Sequence, residues 1–270
     1  MKLSRLYSNS PELFAPVDFT PGLNVVLAEI RLPENRDKDT HNLGKTTLGR
    51  VLDFGFLAGR DPKFFLFKHF NLFKDFVFFL EIELADASYV TVRRGVQEAT
   101  KISFKKHEAS YQDFSTLPPS EWDHLEMPFD RAREMLDSLL DWRALKPWHY
   151  RKGLGYLLRS QDDYRDVFQL SRFVCIAFDM ALLRAHLDER FPRFVYHDGV
   201  FESLDDRKKE NLLVAIRRYD GLGIQTTITL IDSDLPARDG QIGSVFEAGE
   251  IIMTLHDEDD QGRLFKMKAW

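Results

Sequence analysis

Residues 39–48 read Asp39-Thr-His-Asn-Leu-Gly-Lys-Thr-Thr-Leu48, and the fold turns on how this stretch is read. Gly44, Lys45 and Thr46 have the order of the right half of a Walker A phosphate-binding loop. Each residue type has a physical task in such a loop. A glycine lets backbone amides approach phosphate oxygens. A lysine reaches the β- and γ-phosphates, and a hydroxyl ligates Mg²⁺. The helix expected from about Lys45 to Leu57 turns its positive end toward the anion. The left half departs from the pattern: Asp39 and Asn42 stand where glycines are usual. Asp and Asn are the non-glycine residues that best tolerate a left-handed backbone. The plainer alternative is an ordinary helix start after a polar loop. Leu23-Asn-Val-Val-Leu-Ala28, after a Pro21-Gly22 turn, reads as a buried strand and supplies the strand–loop–helix context of the motif. Glu29 to Lys38 is a polar insertion between that strand and the loop.

The chain has 270 residues, 44% hydrophobic and 30% charged, as expected of one large α/β domain or two small ones. It contains no run of about 18 uncharged apolar residues, which excludes a helical membrane span. Its start, Met1-Lys-Leu-Ser-Arg-Leu6, lacks the apolar core of a signal peptide. A single cysteine, Cys175, excludes an internal disulfide and fits a reducing cytoplasm. Its apolar neighbours favour a buried helix position over a nucleophile. The net charge of −6 argues against a nucleic-acid binder that uses its whole surface.

Along the chain, residues 2–7 and 23–28 are expected as two strands of one sheet. Phe76–Leu84, Tyr89–Arg94 and Lys101–Lys106 read as an antiparallel sheet beside the nucleotide. The phenylalanines of residues 64–84 suit either a platform for bases or core packing, and the strand-like run favours core. Arg93, Arg94, Lys101, Lys105 and Lys106 suit either a phosphate-tracking face or the solvent side of a hairpin, the second being commoner. Residues 153–159 read as an apolar strand ending in Arg159-Ser-Gln161. Helices are expected over Arg131–Leu140, Ser171–Leu187 (apolar on most sides, hence buried) and Asp206–Tyr219. Phe194–Asp198 and Ile224–Ile231 read as strands. Glu250–Leu255 and Arg263–Lys268 read as a terminal hairpin. Between them, Asp257–Asp260 suits a solvated turn better than a cation site.

A phosphate loop needs a carboxylate for its metal at the end of a buried strand. Asp198 meets that description. Seven residues later comes the Leu204-Asp205 pair, at the spacing between the Walker B acid and the D-loop of ABC-type ATPases. With these residues in view, the chain resembles the ATPase heads of SMC/RecN-type proteins. More narrowly, it looks like a domain-of-unknown-function group of SMC-like ATPases found in bacterial phage-defence operons. The likeness rests on Thr40–Thr47, Gly155–Tyr164, Cys175–Asp179 and His197–Arg207, with Phe19–Val26 similar to the opening strand of such heads.

The resemblance implies an α/β fold of the ABC-type P-loop ATPase head, a mixed sheet with an added antiparallel β subdomain and flanking helices. Residues 1–270 would be a single head. Its N-lobe, about 1–168, carries Walker A and the Q-loop; its C-lobe, about 171–270, carries Walker B and the D-loop. ATP and Mg²⁺ are the implied cofactors. Asn42, Gly44, Lys45, Thr46, Thr47, Gln161 and Asp205 would bind the nucleotide. Thr46, Gln161 and Asp198 would hold the metal. Head-to-head dimerisation, DNA as the polymer substrate, and partner subunits of a defence system, such as a nuclease, are implied likewise.

Three departures bear on turnover. Gly199 stands where ABC-type ATPases have the general-base Glu, which leaves Glu202 as the nearest candidate. Ser233 stands in place of the switch histidine. Residues 167–171 carry no glycine where the signature motif belongs. Gln161 and Cys175 are 14 residues apart, where SMC-type chains insert a long coiled coil, which puts an arm-deletion junction at about 168–172. A rival reading is a non-hydrolysing, nucleotide-gated scaffold that recruits an effector nuclease. A P-loop kinase is a third, without an acceptor site.

Overall fold

The computed structural model describes residues 1–35, 43–159, 172–202, 204–236, 245–268 and 270. Its strands are β1 (Lys2–Ser8), β2 (Val17–Asp18), β3 (Leu23–Glu29), β4 (Val77–Glu83), β5 (Tyr89–Gly95), β6 (Lys101–His107), β7 (His124–Pro128), β8 (Leu158–Arg159), β9 (Phe194–Asp198), β10 (Gln225–Ile231) and β11 (Ile251–His256). Its helices are α1 (Lys45–Gly55), α2 (Phe65–Lys68), α3 (Phe70–Phe73), α4 (Phe129–Leu140), α5 (Tyr150–Leu157), α6 (Arg172–Ala185) and α7 (Asp206–Asp220). The chain is a mixed α/β protein. Its strands segregate into a six-stranded antiparallel sheet, β2-β1-β4-β5-β6-β7, and a five-stranded sheet, β11-β3-β10-β9-β8. Every pairing in the second sheet is parallel.

The parallel sheet is covered on both faces, and β3 shows how. Leu23, Val25 and Leu27 face a core shared with Ile176 and Met180 of α6 and Leu212, Leu213 and Ile216 of α7. Val26 and Ala28 face the larger core that holds α1. This is why β3 is apolar almost throughout. Helix α1 lies between the two sheets. A Cβ added at Gly49 would come within 2.8 Å of the Tyr196 ring on β9, and one at Gly55 within 2.9 Å of Leu80 on β4. The two glycines therefore let α1 approach both sheets. Phe65, Phe73, Phe76 and Phe78 pack edge to face among themselves or on Phe54 and Phe265 in the main core, and Phe79 stacks on Tyr7 in a separate buried cluster, so these rings are core.

Several expectations are corrected. β1 and β3 belong to different sheets. The sheets are joined instead through Gln225 at the start of β10, whose side chain accepts from Leu3 N at 2.8 Å and donates to Leu3 O at 2.9 Å. Residues 150–157 are a helix, not a strand. His149 caps it, and Gly153 sits against Leu145 and Trp142, where a side chain would collide. The terminal hairpin does not form: β11 runs parallel to β3, and residues 263–268 are not a strand. They pack by their apolar side chains, with Leu264 and Phe265 in the main core. Helix α6 is buried on one side, around Cys175 and Ile176, but leaves Phe178 54% exposed. Arg94 is buried rather than part of a basic face, while Lys101, Lys105 and Lys106 pair with Glu98, Asp123 and Asp86 on the surface. Among the described residues, no helix is long and apolar enough to cross a membrane.

Candidate nucleotide and metal site

The site lies where α1 begins, at the C-terminal ends of the parallel strands, the usual place for a ligand in such sheets. Gly44 is the N-cap of α1, with φ 108° and ψ 10°. That left-handed conformation suits glycine. Leu264 packs directly against it, so any side chain at residue 44 would meet Leu264 Cβ. Gly44 has no side chain with which to cap the helix, and amides at such a helix start are suited to an anionic acceptor.

Thr46, in the first turn, donates its hydroxyl to Asp198 Oδ2 at 2.6 Å. Asp198 ends β9 and is 2% exposed. Its other oxygen accepts the hydroxyl of Thr229 on β10. The strand before the loop, β3, and the strand that ends in the acid, β9, are not neighbours, because β10 runs between them. This is why β10 can reach Asp198. The Gly199 amide then donates to Thr229 O at 3.1 Å and to Thr229 Oγ1 at 3.2 Å. Gly199 itself has φ 67°. The residue after the acid therefore makes a left-handed turn that a glutamate adopts poorly.

Tyr196 lies two residues before Asp198 on β9. Its hydroxyl donates to Lys45 O at 2.8 Å, while its ring rests on Gly49. The first turn of α1 is thus tied to β9 twice, through Thr46 and through Tyr196.

The far end of α1 is held as firmly. Arg94 of β5 donates to Phe54 O, Ala58 O and Ala99 O, and its guanidinium lies 4.1 Å from the centre of the Phe54 ring. Burial pulls this guanidinium below the usual arginine range. Tyr150 donates to Phe56 O, Arg151 to Phe56 O and Asp53, and Arg133 to Leu57 O. Cationic donors here bond carbonyls at and just beyond the end of α1 and match the negative end of the helix dipole.

The donor set fits Mg²⁺. Magnesium takes oxygen ligands, typically one or two from protein together with waters and phosphate. Thr46 donates its hydroxyl hydrogen bond to Asp198, which leaves the lone pairs of its oxygen for a metal. Each oxygen of Asp198 accepts one hydroxyl and keeps further acceptor capacity.

Of the other residues singled out in the sequence, Thr47 lies half-buried in the first turn of α1. Asp205 is the N-cap of α7, accepting from Lys208 N at 3.0 Å and pairing with Lys208 Nζ at 2.6 Å. Those bonds to Lys208 hold its carboxyl below the usual carboxylate range. This is a helix-capping role on an exposed surface. Glu202 lies in the turn that returns to Gly199, its amide 3.4 Å from Gly199 O. Ser233 is in a 3₁₀ turn, and its neighbour Asp232 accepts from Ile30 N at 3.2 Å. Asn42, Gln161 and the signature positions 167–171 lie outside the described residues. Sequence reasoning missed Thr229 and Tyr196. The available signal was polar residues on fully buried strands, here Thr226, Thr227 and Thr229 on β10.

Residues 158–269 match the family described as "Uncharacterised protein conserved in bacteria (DUF2326)". The match includes Asp198 and Thr229 but not α1. No curated protein matches the chain. Among solved structures, the chain is similar to the SMC head domain from Thermotoga maritima, with 11% identity, a TM-score of 0.43, and 85% of this chain and 89% of that one covered. It is also similar to an Smc head solved bound to the C-winged helix domain of ScpA, with 12% identity, a TM-score of 0.45, and 89% and 95% covered.

Proposed function

We propose that this chain binds ATP with Mg²⁺ as the head of an SMC-like ATPase, residues 1–270 forming one head. The observation that carries this is the bond from Thr46 to Asp198, which brings the two halves of the motif set to one point. The amides around Gly44 and the Lys45 side chain bind the phosphates. Thr46 and Asp198 hold the metal, with Gln161 as the further ligand that the family resemblance implies. Calorimetric titration with ATP, with and without Mg²⁺, tests the reading. Binding that Mg²⁺ strengthens is expected, and no binding in either condition overturns it.

Hydrolysis by this chain is slow. Gly199 takes the place of the base, and its left-handed turn is built into the site. Glu202 is the acid left to orient water. The same observation favours the second reading, a nucleotide-gated scaffold that recruits an effector such as a nuclease. Phosphate release measured with and without DNA separates the two. The resemblance of the sequence motifs supports DNA as the polymer acted on, in genome maintenance or anti-phage defence, and pairing of heads in the intact protein. The absence of glycine at 167–171 argues that ATP does not drive tight dimerisation of this chain.

A further inference from the structure

The described residues on either side of the phosphate loop are both held by one segment near the C-terminus. On the entering side, Asp257 Oδ1 accepts from the amides of Arg31 at 2.8 Å and Leu32 at 3.2 Å. Asp257 Oδ2 accepts from Asn35 Nδ2 at 2.7 Å. The next residue, Glu258, pairs with the Arg31 guanidinium at 2.7 Å. On the leaving side, Leu264 N donates to Leu43 O at 2.9 Å, and the Leu264 side chain packs on Gly44.

Between these two grips the segment is itself braced. Asp259 caps the 3₁₀ turn Asp260–Gly262 by accepting from Gln261 N and Gly262 N, and Arg263 pairs with Asp260. Gly262 lies so close against His256 that a side chain there would collide with it. His256 in turn is paired with Glu29 in the β11–β3 register, so the segment springs from the strand beside the one that feeds the loop. Burial works against the Asp257 carboxylate. The bonds from Asn35, Leu32 and Arg31 outweigh it and hold the group below the usual carboxylate range.

Ordering backbone costs free energy, and order present before binding does not count against affinity. The contacts to Arg31, Leu32, Asn35, Leu43 and Gly44 fix the described residues that flank the loop to one braced element. We infer that Asp257–Leu264 is a strap that positions the phosphate loop from both ends, with Asp257 as its principal positioning residue. The effect on affinity rests on the ATP-binding reading; the effect on the loop does not.

The test uses the full chain carrying Asp257→Ala or Asp257→Asn. Asparagine keeps an oxygen for the Arg31 and Leu32 amides, and its NH2 can donate to the Asn35 side-chain oxygen once that amide turns over, whereas alanine keeps none of these bonds. Amide hydrogen exchange without nucleotide is read at residues 29–35 and 43–48, and ATP affinity is read by calorimetry. Asp257→Ala is expected to speed exchange in both stretches and to weaken ATP binding about tenfold. Asp257→Asn is expected to remain close to the parent in both. A melting curve confirms that each variant is folded. Faster exchange confined to residues 29–35 overturns the strap, because the two ends are then independent. So does an Asp257→Ala protein that binds ATP like the parent. If the parent binds no ATP, the nucleotide reading falls, and the exchange at residues 43–48 decides the strap on its own.

Discussion

The hydroxyl of Thr46 donates to Asp198 at 2.6 Å across 152 positions of sequence. Asp198→Asn replaces one carboxylate oxygen with an amide, which cannot accept the hydroxyl it faces. It also removes the only negative charge this pair offers a metal. ATP binding in Mg²⁺ is expected to fall much more than binding in EDTA. Equal losses in the two buffers would count against a metal role for Asp198.

Lys45 is the first residue of α1 and the one long cation of the motif. Lys45→Ala is expected to weaken ATP binding by roughly 1.5–3 kcal/mol, the usual worth of a hydrogen bond to a charged group. That is about ten- to a hundredfold in Kd. Unchanged affinity by calorimetry would remove the phosphate-loop assignment.

Thr229→Val keeps the shape of the side chain and removes its hydroxyl. The Asp198 carboxylate then loses a donor in a buried setting, and the Gly199 amide keeps only the Thr229 carbonyl. A stability loss of about 1–3 kcal/mol is expected in urea unfolding, together with weaker Mg²⁺-dependent ATP binding. A variant as stable as the parent, with the same response to Mg²⁺, would show that Thr229 plays no part in holding Asp198.

Gly199 explains why an acid in the usual place would not restore turnover. At φ 67°, a side chain there costs about 1–2 kcal/mol. Gly199→Glu is therefore expected to destabilise the fold without raising the rate of phosphate release. The parent is expected to turn over far below about 1 s⁻¹, the low end of ordinary enzymes, in keeping with the roughly 10²–10⁴-fold cost of a lost general base. Rapid turnover in the parent that Glu202→Gln abolishes would identify Glu202 as the base. Rapid turnover that survives that substitution would leave the slow-hydrolysis reading without support.

Arg94 donates to Phe54 O, Ala58 O and Ala99 O from within the core. Arg94→Met removes all three bonds at once; Phe54 O keeps the Leu57 amide, while the Ala58 and Ala99 carbonyls lose the donor, at about 1–3 kcal/mol each. A loss of at least about 2 kcal/mol is expected in urea unfolding. A near-neutral result would mean that water or the neighbouring arginines take over these carbonyls.

What the sequence determined by itself is local. The start of α1 at Lys45, the acid at the end of β9, the helix α7 from Asp206 and the three strands β4–β6 could all be read from spacing, helix periodicity and runs of apolar residues. The direction and partner of a strand could not, because alternation along one strand is the same whichever neighbour it pairs with. β1 and β3 were both expected in one sheet and enter different sheets, and β11 pairs with β3 in parallel where a hairpin was expected. α5 is a helix despite two glycines and strand-like residues, because its buried face packs on Trp142 and Leu145 and local propensity yields to that packing. The residues that complete the site follow the same division. Thr46 and Asp198 belong to recognisable motifs. Thr229 and Tyr196 became part of the site only when β10 was laid between β3 and β9, and when Gly49 let the Tyr196 ring close on α1. Those are consequences of long-range packing, which no short stretch of sequence records.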